Sequence, residues 1–130
     1  MKSVRRPREI SDRIAFYVRY LPKGRWVLGG GWNNEIWNSK KLPTKELIDS
    51  VSPSNPVFIY NNDASMALAN SVALKMAGIH SKKSGIKDGE IVKDSRGEPT
   101  GVLKGQAMLF VKNIAPVSNT KLELEVAETA

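Results

Sequence analysis

Val57-Phe58-Ile59-Tyr60 is a continuous apolar run, with Ser52-Pro53-Ser54-Asn55-Pro56 before it and Asn61-Asn62-Asp63 after it. Such a run between turn signals has the character of a strand buried on both faces. Arg25 to Leu28 forms a second short apolar segment and leads into Gly29-Gly30-Gly31. Between the two, after a loop over residues 40–43, Thr44 can cap a short helix over Lys45 to Val51. Its Leu47, Ile48 and Val51 would turn inward. Strand, crossover and strand in this order specify one βαβ unit and therefore a parallel pair.

Other segments show helical spacing. Ile10, Ile14, Tyr17, Val18 and Leu21 form one stripe of an amphipathic helix. Pro7 suits its first turn, and Pro22 with Gly24 ends it. Asp63 is expected to cap a helix over Ala64 to Ala77, interrupted in its apolar surface only by Ser65, Asn70, Ser71 and Lys75. A helix apolar nearly all round needs neighbours on more than one side, and Gly78 suits its C′ position. Residues 80–89 read as loop. Glu90 to Lys93 and Gly101 to Leu103 flank Asp94-Ser95-Arg96-Gly97-Glu98-Pro99, which predicts a hairpin. Leu103, Ala107, Phe110, Val111 and Ile114 give a last helical stripe before Pro116. Ser118, Asn119 and Thr120 resemble a helix start, with Leu122, Leu124, Val126 and Ala127 as its apolar positions. The expected organisation is one α+β domain over residues 1–116, followed by a truncated helix or disordered tail over 117–130. The fold expected is a small mixed sheet, combining the parallel pair and the hairpin, packed with about four helices.

Composition sets limits on function. Hydrophobic residues make up 41% and charged residues 25% of 130, which calls for a packed core. With no cysteine there is no disulfide framework, thiolate nucleophile or cysteine metal site. No apolar run approaches the ~20 residues of a membrane helix. The net charge is +7, and residues 1–25 hold eight basic side chains against two acidic ones. That excess suits either a phosphate-binding surface or a solvated helix face. The arginines fall mostly off the apolar stripe, which favours the solvated face.

The chemical motifs are sparse. Gly29-Gly30-Gly31 lacks the Gly-Lys-Ser/Thr ending of a P-loop, and Asn34 stands where a dinucleotide fingerprint needs its third glycine. The glycines instead suit close backbone approach, with Trp26 and Trp32 packing beside them. His80 is the single histidine and cannot build the nitrogen-rich site zinc prefers. Asp88, Glu90, Asp94 and Glu98 do not fit the calcium-loop pattern and interleave with Lys87, Lys93 and Arg96, as in a wet hairpin. No nucleophile elbow or triad is present. Trp26, Trp32, Trp37 and Tyr60 read as core and rim packing.

The serial order of short motifs is more specific. Trp26-Val27-Leu28-Gly29-Gly30-Gly31-Trp32 is followed by Leu42-Pro43-Thr44, Pro56-Val57, Asn70-Ser71-Val72-Ala73-Leu74, Ala77-Gly78-Ile79 and Gly89-Glu90-Ile91. Gly97-Glu98-Pro99-Thr100-Gly101-Val102-Leu103-Lys104 closes the series. Over about residues 10–116 the chain resembles amidohydrolase family 3, which includes enzymes like N-substituted formamide deformylase and proteins labelled exoenzyme regulatory protein. The resemblance implies an insert segment beside a TIM-like barrel, within enzymes that hydrolyse C–N amide-type bonds using a divalent metal, zinc by preference. The family's metal ligands are an H-x-H pair on the first barrel strand, a lysine, later histidines and an aspartate. The resemblance places none of them in this chain, and Lys104 is not assigned as one, so no cofactor is expected here. The family's D-G-H reads Asp63-Ala64-Ser65, which puts Ser65 where a cavity-facing histidine stands. Trp32, Asn61, Asp63 and Ser65 are the candidate substrate-cavity residues, and no catalytic residue is assigned. The chain is expected to be inactive alone, and to form a homo-oligomer or pack on a missing barrel domain. No membrane partner is expected, and a cytoplasmic setting is favoured. The alternative is a regulatory or nucleic-acid-binding module that uses the basic N-terminal region.

Overall fold

The parallel pair expected from the sequence lies inside a larger sheet. The computed structural model describes residues 7–33, 41–80, 87–115 and 121–123. Its elements are α1 (Pro7–Val18), β1 (Val27–Trp32), α2 (Glu46–Asp49), β2 (Val57–Asn61), β3 (Met66–Ala69) and α3 (Ser71–Met76). They continue as β4 (Gly89–Lys93), β5 (Pro99–Gly105), a 3₁₀ turn over Gln106–Met108, α4 (Leu109–Lys112) and β6 (Lys121–Glu123). The six strands run in the order β4-β5-β3-β2-β1-β6. β1 pairs in parallel with β2 from Val27↔Val57 onward and with β6 on its other side. The β2–β3, β3–β5 and β4–β5 ladders are antiparallel. The fold is α+β with a mixed sheet and four α-helices among the described residues.

Strand alternation divides the core in two. Val57, Ile59, Leu68 and Val102 point to one face, where Ile10 and Ile14 of α1 and Ile48 of α2 pack on them. Phe58, Ala67, Ala69 and Leu103 point to the other face, against Ala73 and Leu74 of α3, Ala107 and Val111. Helices therefore cover both faces and give three layers. The glycines lie inside β1, not after it. A Cβ on Gly30 would stand 2.8 Å from the Tyr60 carbonyl oxygen, so the close approach of β1 and β2 requires a residue without one.

Several elements differ from the sequence expectation. No helix begins at Ala64. The chain turns back at residues 61–65, and Met66 to Ala69 form a central strand between β2 and β5. Four consecutive apolar residues carry no periodicity that separates strand from helix, and pairing on both sides decides the outcome. The helix starts only at Ser71. Its cap is Asn70, extended at φ −83 and ψ 176, whose side chain accepts from the Ala73 N–H. Helix α2 is a single turn without a side-chain cap, in place of the Thr44-capped helix over 45–51. Leu103 belongs to β5, so the last helical stripe begins later than its spacing suggested. Residues 121–123 form a strand beside β1, in the stretch read as a truncated helix or disordered tail. The helix start at Ser118–Thr120, the positions Leu124, Val126 and Ala127, and Trp37 lie outside the described residues.

A polar rim at one end of the sheet

The strand directions gather particular termini at one end of the sheet. These are the ends of β1, β2 and β5, the start of β4, and the turn from β2 into β3. A row of side chains crosses the strands there. Trp32 stands opposite Asn61, Asn61 Oδ1 accepts from the Met66 N–H at 3.1 Å, Met66 stands opposite Lys104, and Lys104 opposite Glu90. Alternation from Val102 and Leu68 assigns the row to the α1/α2 face. Burial falls along it. Trp32 is fully buried, Asn61 nearly so, Met66 and Lys104 are half-buried, and Glu90 is exposed.

The candidate residues take different roles here. Trp32 lies in the core beneath α1, and its indole N–H donates to the Ile59 carbonyl at 2.9 Å. Asn61, Asp63 and Ser65 come together in the β2–β3 turn. Asn61 Nδ2 donates to Ser65 Oγ at 3.1 Å, and Asp63 Oδ1 accepts from the Ser65 N–H at 3.1 Å. Asp63 thus stabilises a turn, where a helix cap was expected. The Ser65 hydroxyl, and then its backbone N–H, hold the Asp63 carboxyl below the usual aspartate range. Ala64 sits at φ 60, in the left-handed region. The middle position of the D-G-H motif therefore requires glycine's conformation, and alanine bears the strain. Sequence reasoning read Glu90 as part of a wet hairpin, considered Lys104 only as a metal ligand it did not assign, and passed over Met66. Only Lys104 left a trace, two residues after the buried Val102 on the same strand.

The opposite end is built for stability. Fully buried Asn70 accepts from the Val57 and Ala73 N–H groups at 2.9 and 3.0 Å. Its amide donates to Ser52 O, Ser52 Oγ and Asn55 O at 3.1, 2.9 and 2.8 Å. The Ser71 N–H and hydroxyl donate to the Asp49 carboxylate at 2.8 and 2.6 Å. The Asn-Ser motif is therefore a structural lock. His80 lines a cavity of about 370 Å³ at this same end, with Lys45, Leu74, Lys75, Ile79 and Glu98. Among the described residues no three His, Cys, Asp or Glu side chains converge on a metal-sized site. None of their helices is long and apolar enough to cross a membrane.

Comparison with known proteins adds a family context. Residues 2–130 match the amidohydrolase family. The chain is 41% identical over 111 residues to Protein LONG AFTER FAR-RED 3 of Arabidopsis thaliana, covering 85% of this chain and 19% of that protein. It is 34% identical over 95 residues to N-substituted formamide deformylase of Arthrobacter pascens, covering 73% of this chain and 18% of that enzyme. An uncharacterized metal-dependent hydrolase from Pyrococcus horikoshii shares the fold at a TM-score of 0.59 and 22% identity, over 86% of this chain and 19% of that one. The chain spans about a fifth of the length of the curated relatives it matches.

Proposed function

The chain belongs to the amidohydrolase family, and we propose that it serves such an enzyme as the segment that shapes access to a substrate whose C–N amide-type bond is cleaved elsewhere. The observation that carries this reading is the rim. Asn61, Asp63 and Ser65 converge on one exposed turn at the end of the sheet, beside half-buried Lys104. In this reading the turn answers to the family's cavity-facing motif, with exposed Asp63 and Ser65 meeting substrate and nearly buried Asn61 holding the turn in shape. Trp32 supports them from beneath by fixing the end of β1.

Hydrolysis in metal-dependent relatives draws on a bound water whose pKa falls to ~7. The described residues do not fit that role. His80 lies at the far end of the sheet, the chain has no cysteine, and the carboxylates do not cluster. The metal ligands of this reading therefore belong to the remaining four-fifths of a family-length protein, and the chain alone is inactive.

A chimera tests this. The chain replaces its matching segment in the Arthrobacter pascens deformylase, and turnover of an N-substituted formamide is measured. The chimera should turn over, and Ser65→His within it should raise the rate. The 130-residue chain with added Zn²⁺ should not turn over. Hydrolysis by the chain alone, with a stoichiometric and tightly held metal, would overturn the reading.

A further inference from the structure

The outward side of α1 does not look like a helix face built for water. Its exposed positions are Arg8, Asp12 and Phe16, and the turn that follows the helix continues the stripe with Arg19 and Tyr20. Phe16 and Tyr20 are 59% and 69% exposed, two of the four large exposed hydrophobic side chains among the described residues. They stack edge to face with ring centroids 5.6 Å apart, and the Arg19 guanidinium lies 5.7 Å from the Phe16 ring centre. The i, i+4 spacing makes the two rings one ridge, the form that fits a groove on another helix. An ordered aromatic ridge left in water marks an interaction surface.

Charge narrows what can cover it. The stripe's one acid, Asp12, is paired with Arg8 at 4.0 Å, and from Arg13 to Asn33, around the ridge itself, every formal charge is positive, carried by Arg13, Arg19, Lys23 and Arg25. A second copy of the chain presenting the same stripe would set like charges face to face. The relatives carry about four times more chain than this segment, and that chain has to pack on it somewhere. We propose that the Phe16–Arg19–Tyr20 stripe is where the remainder of a family-length amidohydrolase docks, through a groove edged by acidic side chains. This rests on reading the chain as a segment of such an enzyme.

The absence of cysteine supplies a direct probe. Tyr20→Cys is labelled with a thiol reagent in the isolated chain and in the deformylase chimera, and modification of the peptide carrying it is followed by mass spectrometry. Labelling should be at least tenfold slower in the chimera. Arg19→Glu should lower the chimera's unfolding midpoint by several degrees more than that of the isolated chain. Equal labelling rates in a chimera that folds and turns over would overturn the proposal. A midpoint that Arg19→Glu lowers no further in the chimera would overturn its acidic groove. Protection in the isolated chain that grows with protein concentration would overturn it in favour of a second copy. Salt-sensitive binding of a fluorescent oligo(dT) by the isolated chain, lost on Phe16→Gln/Tyr20→Gln, would overturn it in favour of nucleic acid. A chimera that does not fold or turn over with the native stripe refutes the proposed function instead, so the two failures are distinct.

Discussion

Replacing Asn70 with alanine tests how the two halves of the fold are joined. Asn70 follows β3 and caps α3, and its side chain also bonds to the loop before β2 and to the first N–H of that strand. Truncation leaves the Val57 and Ala73 N–H groups and the Ser52 and Asn55 carbonyls without it. Two amide hydrogens shared among three acceptors count as two bonds, so four bonds are lost in all. At about 1 kcal/mol each, the middle of the usual range of about 0.5–1.5, the loss is about 4 kcal/mol. A domain of this size has about 5–15 kcal/mol in total. With a urea slope of about 1.5 kcal/mol/M the midpoint should fall by about 2–3 M, with the slope unchanged. Urea unfolding followed by far-UV circular dichroism and tryptophan fluorescence measures it. Asn70→Asp keeps the oxygen that accepts from both N–H groups but turns a second carboxylate oxygen toward three oxygens, and burial would raise its pKa. The folded state would then hold the proton more tightly than the unfolded state, so this variant should lose less stability at pH 4 than at pH 7. A midpoint within about 0.5 M of wild type for Asn70→Ala would refute the lock.

Ala64→Gly should stabilise the chain by about 0.5–1 kcal/mol, since it relieves a left-handed alanine at a smaller entropic cost; an unchanged or lower thermal midpoint would contradict this. Gly89→Ala should destabilise by about 2–3 kcal/mol because its Cβ would collide with the Ala107 backbone nitrogen, and denaturant unfolding reads the loss. Trp32→Phe should lose about 0.5–1.5 kcal/mol by removing the indole N–H bond to the Ile59 carbonyl, measured the same way. Asp63 is held below the usual aspartate range first by the Ser65 hydroxyl, and Asp94 first by the Glu98 N–H. The stability these carboxylates contribute is complete above the unfolded value of about 3.9 and is lost as pH falls through their lower folded values. Asp63→Asn/Asp94→Asn should therefore flatten the acid limb of a plot of unfolding midpoint against pH, and an unaltered limb would count against both turns.

What could be read from the sequence depended on local punctuation. β2 is bounded by Pro56 and the Asn-Asn-Asp turn, and the β4–β5 hairpin is closed by Asp94, whose side chain accepts from the Arg96 and Glu98 N–H groups. Both were recognisable without tertiary information. Met66 to Ala69 offered four apolar side chains and no polar marker, so only pairing with β2 and β5 could make them a strand. Leu103 fitted a helical stripe equally well for the same reason. At the rim, Asn61, Asp63 and Ser65 were picked out through the family motif at the end of β2, although the turn they form was read as a helix start. Lys104 was not, because its place beside Met66 depends on the register between strands distant in the chain.

The two ends of the sheet divide the work of holding a shape and of varying it. Amide and hydroxyl partners around Asn70 secure the helices at one end, out of reach of the β2–β3 turn at the other. Substitutions in that turn can accumulate without unfastening the scaffold. A lineage could thus alter that turn while inheriting the same framework, and the left-handed alanine at position 64 is a local strain that the framework carries.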